Sequence, residues 1–138
     1  MSSAQQPFIT LEFVTPNKPV TSVKVTEVTV PGELGEMTFL PAHTEIVSSL
    51  DVGRLSYKTA GGEVQTLVIK AGFVQFEEDK ALVLTEKATN VKDIDRNQLG
   101  IDKKEIEAKL HKPDLMPTEV QHLQSDLKEV NLLLDLSS

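Results

Sequence analysis

The chain has 138 residues, a formal net charge of −7 and no cysteine. The negative charge argues against partners such as nucleic acid or anionic lipid, because both are bound through clustered Lys and Arg. The lack of cysteine excludes a disulfide framework and makes the cytosol the expected compartment. No apolar run approaches the roughly 20 residues that span a bilayer, so we expect membrane contact only through protein partners.

The first part of the chain, from residue 8 to about residue 88, is predicted to consist of short β-strands. Ile9, Leu11 and Phe13 alternate with more polar residues, which indicates a half-buried strand. Further strands are predicted over residues 37–40, 46–50, 54–59, 63–70, 72–76 and 81–85. Short strands at this spacing, with turn signals between them, favour a sandwich or a flattened barrel.

The valines of the second strand change parity along the chain. Val23 and Val25 share one parity, whereas Val28 and Val30 share the other. A single extra residue would keep all four on one face, so we predict a β-bulge near residues 26–27.

Two hairpins are predicted from their connecting residues. Gly61 and Gly62 stand between two strand patterns and fit a two-residue loop. The acidic segment 77–80 joins the last two strands as a solvated turn.

The final 48 residues, 91–138, show helix signals instead. Thr118 and Gln121 fit a capping box at the start of the second helix. A first, weaker helix contains Gly100, which costs about 1 kcal/mol relative to alanine. We therefore predict a kink or restart there, with Asp102 and Glu105 as a second cap. The second helix carries an amphipathic stripe formed by Val120, Leu123, Leu127, Val130 and Leu134.

This stripe has two interpretations. It packs against the first helix or the sandwich, or the helical hairpin detaches and docks elsewhere. The second interpretation would make the hairpin a two-state element, because short helices depend on tertiary packing for their stability.

No pattern of reactive residues predicts a catalytic, cofactor or metal site. The three histidines, His43, His111 and His122, lack the spacing of a metal site. Glu33 and Glu36 carry no sequence sign of the burial that a general acid or base needs. The aromatic content of 4% also disfavours a large ligand pocket.

Residues 30–43 are instead dense in Pro and Gly, which punctuate the backbone as two tight corners joined by a short strand. Polar and apolar side chains project from these corners, which suggests a docking surface for a protein partner. The predicted interface residues are Glu33, Leu34, Glu36, Pro41 and His43.

Several segments occur in the order and spacing of one known family. They are V-P-G-E-L-G-E at 30–36, L-P-A-H at 40–43, residues 46–50, Gly53, Leu55, A-G-F at 71–73 and L-V-L-T at 82–85. Together they resemble the epsilon subunit of the F-type ATP synthase, closely over residues 8–90 and in outline beyond. The resemblance implies a mainly β chain with a small α part. It implies a sandwich of two five-stranded sheets over residues 1–90, then an antiparallel αα hairpin over 91–138.

The resemblance also implies a function. The chain would be a non-catalytic central-stalk (rotor) subunit that couples proton-driven rotation of the c-ring to ATP synthesis. Its partners would be the gamma subunit and the c-ring, with Glu33 near the polar loops of the ring and His43 at the stalk contact. It would lie peripherally on the cytoplasmic face of the bacterial inner membrane. Its hairpin would touch the catalytic head transiently and restrain ATP hydrolysis.

The helical part departs from the family pattern in two respects. Some bacterial relatives bind ATP through an Ile/Leu-Asp-x-x-Arg-Ala motif, but Gln98 and Leu99 replace its Arg and Ala here. We therefore expect weak or absent ATP binding, because a charge-assisted phosphate contact is lost. Residues 93–138 hold six Lys or Arg and ten Asp or Glu, which disfavours docking on an acidic partner. The alternative to a rotor subunit is a free-standing β-sandwich module that recruits a partner through its hairpin.

Overall fold

The computed structural model describes residues 8–137. Within these residues, nine strands come first and two α-helices follow; the sequence predicts eight of the strands and both helices, but not the short last strand. The strands are β1 Ile9–Thr15, β2 Lys18–Gly32, β3 Gly35–Phe39, β4 Ile46–Leu50, β5 Gly53–Thr59, β6 Val64–Ile69, β7 Gly72–Glu77, β8 Lys80–Thr85 and β9 Ala88–Asn90. A short 3-10 turn, Val91–Asp93, leads to α1 Arg96–Leu110 and α2 Pro117–Leu136.

The long strand β2 takes part in both layers of the sandwich. Its first half pairs with β1, and its second half pairs with β5 and β3. One layer is therefore β2-β1-β8-β7-β4, and the other is β3-β2-β5-β6-β9. Each layer has five strands because β2 belongs to both, and all nine strands form one hydrogen-bonded sheet. β1 and β8 are parallel, whereas the other pairs are antiparallel.

The core lies between the layers and is built from alternate residues of each strand, with a change of parity in β2 at its bulge. Its members come from the first eight strands: Ile9, Leu11, Phe13, Val25, Val28, Val30, Phe39, Leu50, Leu55, Ile69, Val74, Phe76, Ala81 and Val83. The predicted bulge is confirmed by a register shift between Val25 and Glu27 in the pairing of β2 with β5. The bulge turns the side chains that follow it back toward the core, so Val25 and Val28, on either side of it, are both fully buried.

The turns follow the predictions with one correction. Lys58 pairs with Val64, and the Thr59 N–H donates to the Glu63 carbonyl at 2.8 Å, so the loop has three residues, 60–62. The two-residue loop is therefore wrong, because Gly62 with φ of 91° serves as the left-handed residue that closes a three-residue loop. The acidic turn between β7 and β8 is confirmed, with Glu78 and Asp79 both at positive φ.

The predicted restart of the first helix is wrong. α1 is unbroken from Arg96 to Leu110, and no atom outside the helix crowds Gly100. Asp95 caps the start of the helix, accepting hydrogen bonds from the N–H groups of Asn97 and Gln98 at 3.0 and 3.2 Å. Asp102 makes no second cap: its carboxylate accepts a hydrogen bond from the Gln98 side chain.

The predicted start of the second helix is also wrong by a few residues. α2 begins at Pro117, whose fixed φ suits the first helical position. The Glu119 carboxylate accepts a hydrogen bond from the Met116 N–H at 3.3 Å, which is the role expected of Gln121 toward Thr118.

The antiparallel hairpin packs along α2. This helix contacts α1 and also lies against β5 and β6. Of the predicted stripe, Val130 is buried, whereas Val120, Leu123, Leu127 and Leu134 are half-buried. Leu133 and Glu129 complete the buried face of α2, and no residue of α1 is fully buried.

Candidate partner-binding surfaces

The first of the two predicted corners is the β2–β3 hairpin, which we call the tip; it carries Glu33, Leu34 and Glu36. Gly32 and Gly35 are paired, so the loop consists of Glu33 and Leu34 alone. All three side chains are exposed, and that of Leu34 is completely so. Leu34 is therefore outside the core, and burying its side chain against a partner would be favourable.

The tip is braced by the end of β4 and by Asp51, which follows that strand. The Glu33 N–H donates to the Ser49 carbonyl at 3.1 Å, and the Asp51 N–H donates to the Pro31 carbonyl at 2.9 Å. A side chain at Gly53 would lie 2.6 Å from the Pro31 ring, so the two segments are in close contact. The tip is therefore a fixed projection rather than a free loop.

The second corner, formed by Pro41 and His43, follows β3. The His43 N–H donates to the Leu40 carbonyl at 3.1 Å, and Ala42 has φ of 68°. Pro followed by a residue at positive φ is the arrangement of a type II turn. The turn is held to the β7–β8 hairpin because the Ala42 N–H donates to the Asp79 carboxylate at 2.6 Å.

The His43 ring is held by two phenylalanines at the end of the core. It stands edge-on to Phe39 and Phe76 at 5.1 and 5.6 Å, and these two rings stack at 5.0 Å. Its Nδ1 lies 2.7 Å from the Thr44 carbonyl. His43 is nevertheless exposed on its outer side, so it offers a partner a ring of fixed orientation. Within residues 8–137, no cluster of three or more potential ligands could hold a metal ion.

The tip and the corner are separate surfaces. They lie at opposite ends of β3, whose five residues span about 14 Å. One is tied to β4 and the other to the β7–β8 turn. The five predicted interface residues are thus brought to two rigid corners on one edge of the molecule rather than to one site.

A third surface was missed from the sequence. Val47, Phe73 and Leu84 lie on adjacent strands with exposed fractions of 69%, 55% and 42%. Phe73 pairs with Leu84 across β7 and β8, and with Ser49 across β4, two residues from Val47. We call these three residues the outer patch; half-buried Val14 and Leu82 continue it on the same face.

The signal that could have revealed the outer patch is in two short runs. Consecutive residues of a strand point to opposite faces of the sheet. Nevertheless, Phe73 and Val74 are both apolar, and so are all four residues 81–84. A strand that is apolar on both faces is typical of a strand covered on both faces. Here the inward residues fill the core, and the outward residues are left in water.

The helices and the sandwich enclose a charged cleft of about 280 Å³. Three lysines and four carboxylates line it: Lys70, Lys87, Lys109, Asp102, Glu105, Asp126 and Glu129. The hydrogen bond with Asp126 raises the pKa of Lys70 above its usual 10.5, and the charges of Asp126, Glu129 and Glu86 add to this effect. The excess of carboxylates makes the cleft unfavourable for a polyphosphate.

The sequence that forms these surfaces is similar to those of known proteins. Residues 8–91 match the model described as ATP synthase, delta/epsilon chain, beta-sandwich domain. An ATP synthase epsilon chain of Syntrophotalea carbinolica is 33% identical over 127 residues, covering 92% of this chain and 91% of that protein. The chain belongs to the epsilon-chain family of ATP synthases. Epsilon chains are non-catalytic subunits of the F-type enzyme. The epsilon chain of Geobacter metallireducens is 40% identical over 85 residues, covering 62% of this chain and 61% of that protein.

Solved structures share the fold of this epsilon-family chain. A chain of the Euglena gracilis mitochondrial ATP synthase, in an OSCP/F1/c-ring assembly, covers 93% of this chain with a TM-score of 0.78 and 24% identity; 80% of that chain is covered. A chain of the Tetrahymena thermophila central stalk/c-ring assembly covers 94% with a TM-score of 0.59 and 13% identity; 96% of that chain is covered. Among residues 8–137, no helix is both long and apolar enough to cross a membrane. The tip, the corner and the outer patch all fall within the matched residues.

Proposed function

We propose that the chain is a rotor subunit of the central stalk, where it couples proton-driven rotation of the c-ring to ATP synthesis. Its partners are the gamma subunit and the c-ring. It lies on the cytoplasmic face of the bacterial inner membrane and reaches the membrane only through these proteins. Family membership and the stalk and c-ring assemblies of its structural neighbours support this proposal.

The outer patch is the observation that carries the proposal. An aromatic side chain between two aliphatic ones, exposed on a hydrogen-bonded sheet, matches the apolar centre of a protein–protein interface. Gln75 lies between Val47 and Leu82 on the same face, and Glu12 borders Leu82 as a polar neighbour. Because all the strands under it are paired in register, the patch transmits force without local deformation. We assign it, together with the corner, to the gamma subunit.

The tip is the surface that we assign to the c-ring. Leu34 can enter an apolar recess while Glu33 and Glu36 bind polar loop residues around it. The hydrogen bonds to Ser49 of β4 and from Asp51 hold the tip in place, so a force that the ring applies to the tip would be transmitted to the sheet.

The hairpin is assigned a regulatory role. We infer that it leaves the sandwich, touches the catalytic head and restrains ATP hydrolysis. Residues 91–138 are acidic overall, so this contact would use the half-buried apolar residues Leu123, Leu127 and Leu134 rather than charge. Val130 and Leu133 are the fully buried apolar side chains of the two helices, so few apolar contacts oppose release of the hairpin.

The rotor role is tested by ATP-driven proton pumping in vesicles whose synthase has been stripped of its epsilon subunit. The full chain should restore pumping. Phe73→Asp should raise the concentration needed for half-maximal pumping by about tenfold or more, as expected for an aromatic interface residue. Val64→Asp is the matched control, because Val64 is 64% exposed, similar to Phe73, but lies on β6 in the other layer of the sandwich.

Each part of the proposal can fail separately. If the folded chain does not restore pumping, the rotor role is wrong. If Phe73→Asp and Val64→Asp behave alike, the outer patch does not bind the stalk. A variant ending at Asn90 keeps every member of the core cluster; faster ATP hydrolysis than with the full chain supports the regulatory hairpin and the proposed division into residues 1–90 and 91–138.

A further inference from the structure

Two lysines of the sandwich are fixed side by side beneath the hairpin. Lys70 follows β6 and Lys87 precedes β9, and the Lys70 N–H donates to the Lys87 carbonyl at 3.0 Å. The buried Thr85 hydroxyl lies 3.3 Å from the Lys70 carbonyl and 3.2 Å from the Lys87 carbonyl, within hydrogen-bond distance of both. We call Lys70 and Lys87 the lysine pair; its backbone position does not depend on the helices.

Two carboxylates of α2 face the lysine pair. Asp126 and Glu129 are three residues apart and so lie on one face of the helix. The Lys70 ammonium forms an ion pair with Asp126, and the Lys87 ammonium lies 3.6 Å from the Glu129 carboxylate. Glu129 is 5% exposed. We call Asp126 and Glu129 the carboxylate pair.

Apolar burial alone provides little to hold the hairpin at this position. Among the described residues of the helices, Val130 and Leu133 are the buried apolar side chains, and α1 buries none fully. A buried carboxylate that loses its cation is strongly unfavourable. The docked position of α2 therefore depends on keeping both carboxylates opposite the lysines.

The two helices are joined by hydrogen bonds where α1 begins and α2 ends. The Arg96 guanidinium donates to the Leu134 carbonyl at 3.2 Å and to the Ser137 hydroxyl at 2.6 Å. This link joins the start of α1 to the end of α2, so α1 accompanies α2 when α2 moves.

We propose that the lysine pair and the carboxylate pair form an ionic latch that holds the hairpin on the sandwich, and that loss of these ion pairs releases both helices as one unit. The latch is independent of the rotor role, because it is a property of the isolated chain. It is also accessible to experiment in that chain, whatever complex the chain joins.

The population of the released hairpin can be measured by pulsed electron paramagnetic resonance between two spin labels. The sequence has no cysteine, so Glu63→Cys and Gln121→Cys, both at exposed positions, place one label on the sandwich and one on α2. Lys70→Glu in this background should raise the ratio of released to docked hairpin by about tenfold or more, as expected for a charged hydrogen bond turned into a repulsion. The swap Lys70→Glu with Asp126→Lys should restore most of the docked population.

Asp51→Asn is the matched control. It removes the ion pair between Asp51 and Lys128, which also joins α2 to the sandwich but is 55% exposed on both sides. Such a pair contributes little, so the ratio should change by less than about threefold.

Salt gives a test without any substitution in the latch. Raising the ionic strength from about 0.01 M to about 1 M shortens the screening length from about 30 Å to about 3 Å and should favour release. The latch is refuted if the swap fails to restore docking, if Asp51→Asn releases the hairpin as much as Lys70→Glu, or if the ratio does not respond to salt.

Discussion

Replacing Gly72 with alanine should destabilise the sandwich severely, because this glycine lies where β7 meets both of its neighbours. Gly72 pairs with Leu50 on β4 and with Thr85 on β8. Its φ is 145°, a conformation that residues with a side chain rarely adopt. A Cβ at this position would lie 1.8 Å from the Leu84 carbonyl oxygen.

The magnitude follows from two costs. Holding alanine at this positive φ costs about 1–3 kcal/mol. Moving β8 away from the new methyl group weakens the backbone hydrogen bonds at this point of the sheet, each contributing about 1 kcal/mol. The free energy of unfolding should therefore fall by about 3–5 kcal/mol, which is at the upper end for single substitutions. The neighbouring Phe73 would also be displaced from the outer patch.

Urea unfolding followed by circular dichroism measures this loss. Gly61→Ala is the control: the nearest atom to its Cβ would be 3.9 Å away, so stability should be unchanged or raised by less than about 1 kcal/mol. The reasoning is refuted if Gly72→Ala and Gly61→Ala differ by less than about 1 kcal/mol.

Four further outcomes are expected. Leu34→Ala should change the free energy of unfolding by less than about 0.5 kcal/mol yet weaken restoration of proton pumping, measured in the stripped vesicles. Asp95→Ala should cost about 1 kcal/mol in the stability of α1, measured by amide hydrogen exchange. Because the pKa of Lys70 is raised above 10.5 in the folded chain, the stability lost in Lys70→Met should be constant at neutral pH and shrink as the pH rises through this raised pKa. Calorimetry at about 1 mM ATP should detect no binding, because the motif cation is absent and the cleft holds an excess of carboxylates.

Contrary results would be informative. Normal pumping with Leu34→Ala would remove the tip from the c-ring contact. Unchanged exchange in Asp95→Ala would mean that tertiary packing, not the cap, fixes the start of α1. A stability difference at Lys70 that persists at high pH would assign the effect to packing of the side-chain stem. Measurable ATP binding would require a cation elsewhere to replace the one missing at Gln98.

The strands were predictable because their signals are local. Alternation in β1 placed Ile9 and Leu11 in the core, and the parity change of the valines located the bulge before any partner strand was known. The helix ends were less predictable because several residues compete to cap them. Asp95 and Glu119 make the capping contacts, although Asp102 and Thr118 fit the same sequence rules.

The sequence by itself determined the order of strands and helices, the family, and the residues exposed at the tip and corner, because periodicity, turn chemistry and motif spacing are properties of neighbouring residues. Only the tertiary structure decided what holds the tip and the corner, since the first is braced by β4 and the second by the β7–β8 turn. It also decided that Phe73 and Leu84 form one patch and that Lys70 meets Asp126. These contacts join residues that are distant in the chain, and strand pairing and helix docking, rather than local composition, bring them together.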